Sequence, residues 1–472
     1  MIIRAHFSAF FWAISVAFAC GEAPASSPDA AARADAALTR TDAGPRADAG
    51  PLADAGADDP TAIVDRPSRG AYTCAVERPR ADLSPRFWGF AGHSMISTLG
   101  GAAFLARIES TPPGPAPARF VVSSITSSKT LGASVEISAT NTDMISAPAL
   151  ARRGDGLALI WIEAGALKFA ALDGAGHVTT PAKTIPGITL DPYASRPTIA
   201  EGAGGGFGVV YVLENAQQKR EIWWVALDAS GDRSGAPRKI ATAAADGLDP
   251  APAITTAGSG FALAWRDREG TRGRVHFTTI DAAGAEQIAD HRISATDRDG
   301  VDVGGAVGFD RATIAILETA TGFLAAWPES EQGDFSTGTG GQSQVRIVRL
   351  DASGVAQGTP VAVRTAEADI DEVEPSLVRY ADGAVAVLWA RGTHIYVCGG
   401  CVPDHRIDLV LVDPANLARL SGVVSVGNGG GRSAGGLLRR DVAVLGDSVF
   451  TTFDLTVHTQ ATPGSASFSC AR

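Results

Sequence analysis

The fold class predicted here is all-β: a propeller of four-stranded antiparallel blades. Three observations predict it. Short apolar-alternating runs recur with tight turns between them; a large aromatic ends one run in each group; and an Asp-x-x-Gly turn closes the run that follows. The clearest copy spans 249–284. Pro252 opens an alternating segment, a glycine turn leads into Phe261-Ala-Leu-Ala-Trp265, and Val275-His-Phe-Thr-Thr-Ile280 runs into Asp281-Ala-Ala-Gly284.

The copies align residue by residue. The aromatic recurs as Trp161, Tyr211, Trp265, Trp327 and Trp389, preceded by Gly156, Gly206, Gly260, Gly322 and Gly383. The closing turn begins at Asp173, Asp228, Asp281, Asp351 and Asp413, the last reading Asp-Pro-Ala-Asn. The opening proline is Pro148, Pro197, Pro252 or Pro375. A β unit of this length cannot bury both faces alone and must stack on its neighbours, and radial stacking makes a propeller. Five units are clear, at 147–187, 195–243, 250–294, 304–364 and 373–426; a weaker one spans 92–138 and a partial one follows Leu437. The count is seven blades, with six the alternative if the end segments merge.

From the start of the chain, 1–19 reads as an export signal. Arg4 supplies positive charge, and the apolar run from Phe7 to Ala19 is too short to span a bilayer as a helix. Ala17-Phe-Ala-Cys20 fits ordinary signal cleavage and also resembles a bacterial lipobox, which would place a lipid on Cys20. The stretch 20–66 is rich in Ala, Asp, Pro and Arg, repeats Asp-Ala-Gly at Asp42, Asp48 and Asp54, and has no composition for a core. It is expected to be a disordered tether, with the propeller occupying 67–472.

Five cysteines are present. Export places them in an oxidising compartment, and a lipid on Cys20 leaves four. Cys74 precedes the first unit and Cys470 lies near the end. The strand-like Ala71-Tyr-Thr-Cys-Ala-Val76 would complete the final blade, so a Cys74–Cys470 disulfide is expected to close the ring. Cys398-Gly-Gly-Cys401 is followed by Val402-Pro403 rather than a helix start, which removes the physical basis for redox chemistry. A small disulfide ring pinning a loop is the expectation, and zinc held with His394 and His405 is the alternative.

The turns before the aromatic run and after Asp-x-x-Gly are short and share one face of the ring. The opposite face collects the insertions, including 329–343 and the Cys398 loop, and insertions gathered on one face of a repeat protein mark its binding face. Acids gather there in the sequence: Glu163, Asp267 and Glu329 lie two residues after the aromatic, and Asp297, Asp299, Asp302, Asp371 and Glu372 lie between units. Such carboxylates suit Ca2+, a polyamine or a basic protein; solvated loop acids, partly answered by Arg268, Arg298 and Arg391, are the plainer reading. The Asp297–Asp302 run departs from the order of an Asp-rich calcium loop.

The net charge of −11 argues against nucleic acid as a partner and supplies no polybasic membrane patch. No His-Glu-x-x-His and no sialidase-type box is found, and the glycine-rich run 427–436, which contains Gly431-Arg-Ser-Ala-Gly435, reads as a flexible loop between units. The whole chain resembles exported bacterial lipoproteins with propeller-type repeats. The resemblance rests on Ala17-Phe-Ala-Cys20, the Asp-Ala-Gly tether and the Gly-Phe-x-x-x-Trp and Asp-x-x-Gly repeats. It implies a monomeric, noncatalytic binding or scaffold protein of the cell envelope, held at the outer membrane or surface by lipid alone. Its partner would be a protein, a glycan or a small molecule. The alternative is a secreted carbohydrate-active or other hydrolytic enzyme using carboxylates on the same face.

Overall fold

Seven four-stranded antiparallel sheets stand in a ring. This computed structural model describes residues 62–472, apart from 83–92, 98–100, 110–117, 141–144, 192–194, 196, 218, 247–251, 270–271, 295–312, 331–342, 366, 368–369, 394–405, 428–436 and 458–459. Blades 1 to 6 span 93–140, 145–189, 198–246, 253–292, 315–362 and 370–427, with strands paired in sequence order. Blade 7 takes three strands from 437–471, and Thr73–Asp82 pairs outside its last strand. The innermost strands of successive blades adjoin, the last meeting the first. Seven is therefore the blade count.

Each gap between blades holds one apolar cluster among the described residues. The repeated aromatic fills the gap towards the preceding blade, with Trp161, Trp265, Trp327 and Trp389 all fully buried. The Asp-x-x-Gly turn latches onto the same neighbour. Asp228 Oδ1 accepts the backbone N–H groups of Ser230 at 2.9 Å and Asp232 at 2.8 Å, which fixes the turn. Gly231 then lies at φ +81°, where an added Cβ would stand 2.1 Å from the Phe169 ring of blade 2. Gly284 meets Trp224 of blade 3 in the same way, its Cβ position 2.4 Å from the ring. These glycines serve handedness and close approach together.

Blade 6 breaks that rule. Its Asp413 turn places Leu417 at φ 56°, and the leucine is buried with Ile63 and Val64 from the N-terminal side of the chain. Residues 62–72 form a strap across blade 6. The Val64 N–H donates to Val363 O at 2.9 Å, Arg69 N–H to Arg419 O at 3.0 Å and Tyr72 N–H to Leu420 O at 3.0 Å before the chain enters blade 7. Ile63 is fully buried, so the folded domain includes Ala62–Arg66, which composition had assigned to the tether.

The ring closes as expected within blade 7. Cys74 and Cys470 are register partners and form a disulfide across 396 residues of sequence separation. The seam from blade 7 to blade 1 adds buried polar contacts to a small apolar cluster. Arg107 takes the position of the repeated aromatic in blade 1, is buried, and donates to Ser123 Oγ at 2.5 Å and Glu109 Oε1 at 2.5 Å. Glu77 faces Lys129 at 3.4 Å and accepts the Ser448 and Ser467 hydroxyls at 3.0 and 3.1 Å.

Candidate functional site

Glu163, Asp267 and Glu329 occupy equivalent ends of the second strand in blades 2, 4 and 5, on the side of Trp161, Trp265 and Trp327. They therefore belong to three separate gaps and do not converge. Glu163 clamps blade 2 to blade 1: its Oε2 accepts Trp161 Nε1–H and the Ser138 hydroxyl, both at 3.0 Å. Glu221 receives the Trp223 indole N–H at 3.1 Å in blade 3, a second indole–carboxylate pair. Asp267 is paired in register with Arg274, and Glu329 is buried opposite Gln344. Asp371 lies on the innermost strand of blade 6 opposite Gly392, its side chain outside the described residues. Cys20, Asp297, Asp299, Asp302, Cys398 and Cys401 also lie outside them. Among the described residues no group of three or more His, Cys, Asp or Glu is placed to hold a metal ion.

Blade 6 departs from the pattern chemically as well. Two residues past its aromatic stands Arg391, where blades 2, 4 and 5 carry an acid. Opposite Trp389 stands Asp408, where those blades present Lys168, His276 and Arg346. The charge order is reversed in this one blade. Glu372, on the innermost strand, lies opposite Arg391. All of these face the gap between blades 5 and 6, at the end where segments 331–342 and 394–405 join the second strands to the third.

The hydrogen bonding is uneven. Glu372 is 4 % exposed; its Oε2 accepts Val345 N–H at 3.1 Å and its Oε1 has no partner. Asp408 is fully buried; its Oδ1 accepts the Ser425 hydroxyl at 2.5 Å, while Oδ2 makes no hydrogen bond and lies 3.9 Å from Arg391 Nη1. Arg391 Nη2 pairs with Glu367, whose other oxygen accepts Arg364 Nε–H at 2.7 Å. Gln344 Nε2 donates to Arg364 O at 3.1 Å, and the Ser343 hydroxyl to Glu372 O at 3.0 Å.

An unpartnered buried oxygen is tolerable on a neutral acid and costly on a carboxylate. Burial accordingly pushes the Glu372 carboxyl up to about 8; the Asp408 charge adds to this, and Val345 N–H, Arg364 and Arg391 oppose it. Burial raises Asp408 too, against Ser425 and the arginines. Glu367 moves the other way. Its burial is outweighed by Arg364 and Arg391, which hold the carboxylate below the usual range. One seam thus carries a carboxyl that keeps its proton at neutral pH and one that does not. Sequence reading counted Glu372 and Arg391 among loop charges and passed over Asp408, Glu367 and Arg364; the reversed charge order in blade 6 was the available signal.

The face of short turns also has a cleft of about 470 Å³ between blades 4 and 5, lined by Gly258, Gly260, Asp281, Glu318 and Phe323 among others. Its acids hold turns: Asp281 Oδ1 accepts Ala283 and Ala285 N–H at 2.9 and 2.8 Å, and Glu318 Oε1 accepts Gly258 N–H at 2.9 Å.

No protein-family model and no curated protein matches the chain. Among solved structures it is similar to a protein of unknown function from Dyadobacter fermentans, at 12% identity and TM-score 0.46, over 84% of this chain and 99% of that one. It is also similar to the polysaccharide lyase Uly1, at 10% identity and TM-score 0.46, over 83% of this chain and 94% of that one. A Penicillium chrysogenum alpha-L-arabinanase gives 10% identity and TM-score 0.40, over 84% of this chain and 98% of that one. Likeness at this level concerns chain arrangement and does not bear on activity.

Proposed function

We propose that the protein is an exported, lipid-tethered, carbohydrate-active propeller that works at the loop-bearing end of the gap between blades 5 and 6. The supporting observation is the pair of carboxyls flanking Arg391: Glu372 is held protonated and Glu367 ionised. Hydrolysis of a glycosidic bond uses two such groups. Glu372 would give its proton to the leaving oxygen, while Glu367 takes a proton from the water whose oxygen bonds to the sugar carbon. Displacement of Arg364 and Glu367 from Arg391 would admit a saccharide to Glu372. A noncatalytic binding role is the second reading. The burial of both Glu372 and Asp408 favours it, since the same network then supports a glycan- or protein-binding surface without taking part in chemistry.

The full chain, its Glu372→Gln and Glu367→Gln variants, and Glu163→Gln as a control should be incubated with a panel of glycans and scored for new reducing ends. Turnover that is lost in the first two variants and kept in the control supports the enzyme. Saturable binding without turnover supports the second reading. Turnover that survives Glu372→Gln refutes the assignment.

A further inference from the structure

Arg364 is gripped from both sides by the N-terminal strap. On one side the Val64 N–H donates to Val363 O at 2.9 Å; on the other the Thr365 hydroxyl donates to the Asp65 carboxylate. The strap is itself well held: Ile63 is fully buried in the blade 5–6 cluster, Arg419 donates to Val64 O, and Arg66 donates to Leu417 O at 3.1 Å. The reason for a grip here lies in blade 5. Its outermost strand is only two residues long, Val361–Ala362, against 10, 12, 9 and 7 residues in blades 1 to 4. The chain leaving that strand has little ladder of its own, and the strap supplies the missing partner. Three residues further on stands Glu367, tied to Arg364 and Arg391.

We propose that the strap, through Val64 and Asp65, is the positioning element of the candidate site: it holds Val363 and Thr365 so that Arg364 and Glu367 stay engaged with Arg391. The proposal rests on the acid–base reading above for its functional meaning, although the clasp can be tested without any substrate. Asp65 and Val64 touch no reacting atom; they act through Arg364. The strap is continuous in sequence with the stretch expected to carry the lipid on Cys20, so a pull on that stretch, or its cleavage after residue 66, would loosen the site from a distance.

The full chain is compared with its Asp65→Ala, Thr365→Val and Asp65→Glu variants by amide hydrogen exchange and by stability against pH. Loss of one hydrogen bond to a charged group is expected to speed exchange in 363–367 by about tenfold, with the inner strands of blade 6 unchanged. Burial and Asp408 drive the rise at Glu372, and Arg364 restrains it together with Val345 N–H and Arg391. Releasing it should therefore move the pH midpoint of Glu372-linked stability loss upward, and Asp65→Glu should restore both readouts. Unchanged exchange in both Asp65→Ala and Thr365→Val would overturn the clasp. Faster exchange with an unmoved midpoint would leave a structural tie only and overturn the positioning role. Where the midpoint moves and no glycan is turned over by the parent protein, the clasp stands and the enzymatic reading fails.

Discussion

Glu372→Gln is the perturbation that bears most directly on the site. In the folded chain the Glu372 carboxyl is pushed up to about 8 from 4.5. Between those two values the unfolded chain has lost the proton and the folded chain has kept it. The folded state binds more protons there, so stability falls as pH rises, by about 1.4 kcal/mol per pH unit. The contribution is complete below pH 4.5, declines through neutrality and is gone above about pH 8. Over the whole interval it amounts to about 5 kcal/mol. Asp408 is raised as well, chiefly by burial, and acts in the same direction. The lowered carboxylates Asp173, Asp228, Asp351 and Glu367 act oppositely, their contribution being lost as pH falls towards their folded values. Stability should therefore peak on the mildly acidic side.

Glutamine keeps an oxygen for Val345 N–H and removes the titration. Denaturant unfolding at half-unit steps from pH 5 to 8.5 should show the parent losing stability more steeply than the variant, with the curves crossing so that the variant is the more stable at pH 8. A domain of this size shifts its melting point by about 1 °C per kcal/mol, so thermal scans should separate the two by several degrees at the alkaline end. Parallel curves would mean that Glu372 ionises freely in the folded protein. The acid half of the proposed pair would then be lost.

Three further outcomes follow from the fold. Replacing Cys74 and Cys470 by serine should cost about 2–4 kcal/mol, with about 6 as the chain-entropy ceiling for so long a loop, read as a lower melting point that reductant no longer changes. Gly231→Ala should destabilise by about 1–3 kcal/mol, because its φ is positive and the new Cβ meets the Phe169 ring; Gly235→Ala, with open space around it, should be neutral in the same melt. In a bacterial host the chain should partition with membranes and Cys20→Ala should release it, with mass spectrometry reporting whether Cys20 carries lipid; an unmodified Cys20 at the mature N-terminus would rule out the anchor.

The repeat was legible because its markers are local. A glycine at positive φ, an aspartate that caps its own turn and an aromatic at the strand end are each visible within a few residues, and blades recur often enough to confirm one another. Pairing Cys74 with Cys470 followed from counting strands, since the final blade lacked one. The strap was not legible. Ala62-Ile-Val holds too little apolar sequence to stand out from a low-complexity stretch, and its role exists only because blade 5 ends short. The buried acids were hidden for a different reason. Blade strands are covered on both faces, so Ile407 to Val412 is buried at every position and alternation does not flag Asp408 as an intruder. Glu372 could be seen as an acid between units, but not that it turns into a gap and loses contact with water.

The way the ring is held together gives the site its place. From blade 2 to blade 5 each gap repeats one device, a glycine turn set against the preceding blade's ring: Phe104, Phe169, Trp224 and Phe277. Each of these gaps has an apolar cluster at its centre, with its charged residues, Glu163, Asp267 and Glu329 among them, at the strand ends. Three gaps do without the device, and two of them replace it with other contacts. The seam from blade 7 to blade 1 substitutes a buried arginine, held through its Nη atoms by Ser123 and Glu109, and the Lys129–Glu77 pair. The gap between blades 5 and 6 substitutes Leu417 and a strap from elsewhere in the chain, and among the described residues it combines reversed charge order with two buried acids, Glu372 and Asp408, each short of one hydrogen bond. A buried acid left short of hydrogen bonds costs free energy that a hydrophobic side chain would not. That cost falls where the chain has also spent a separate segment to hold the neighbouring loop, so the two departures are best understood as parts of one site.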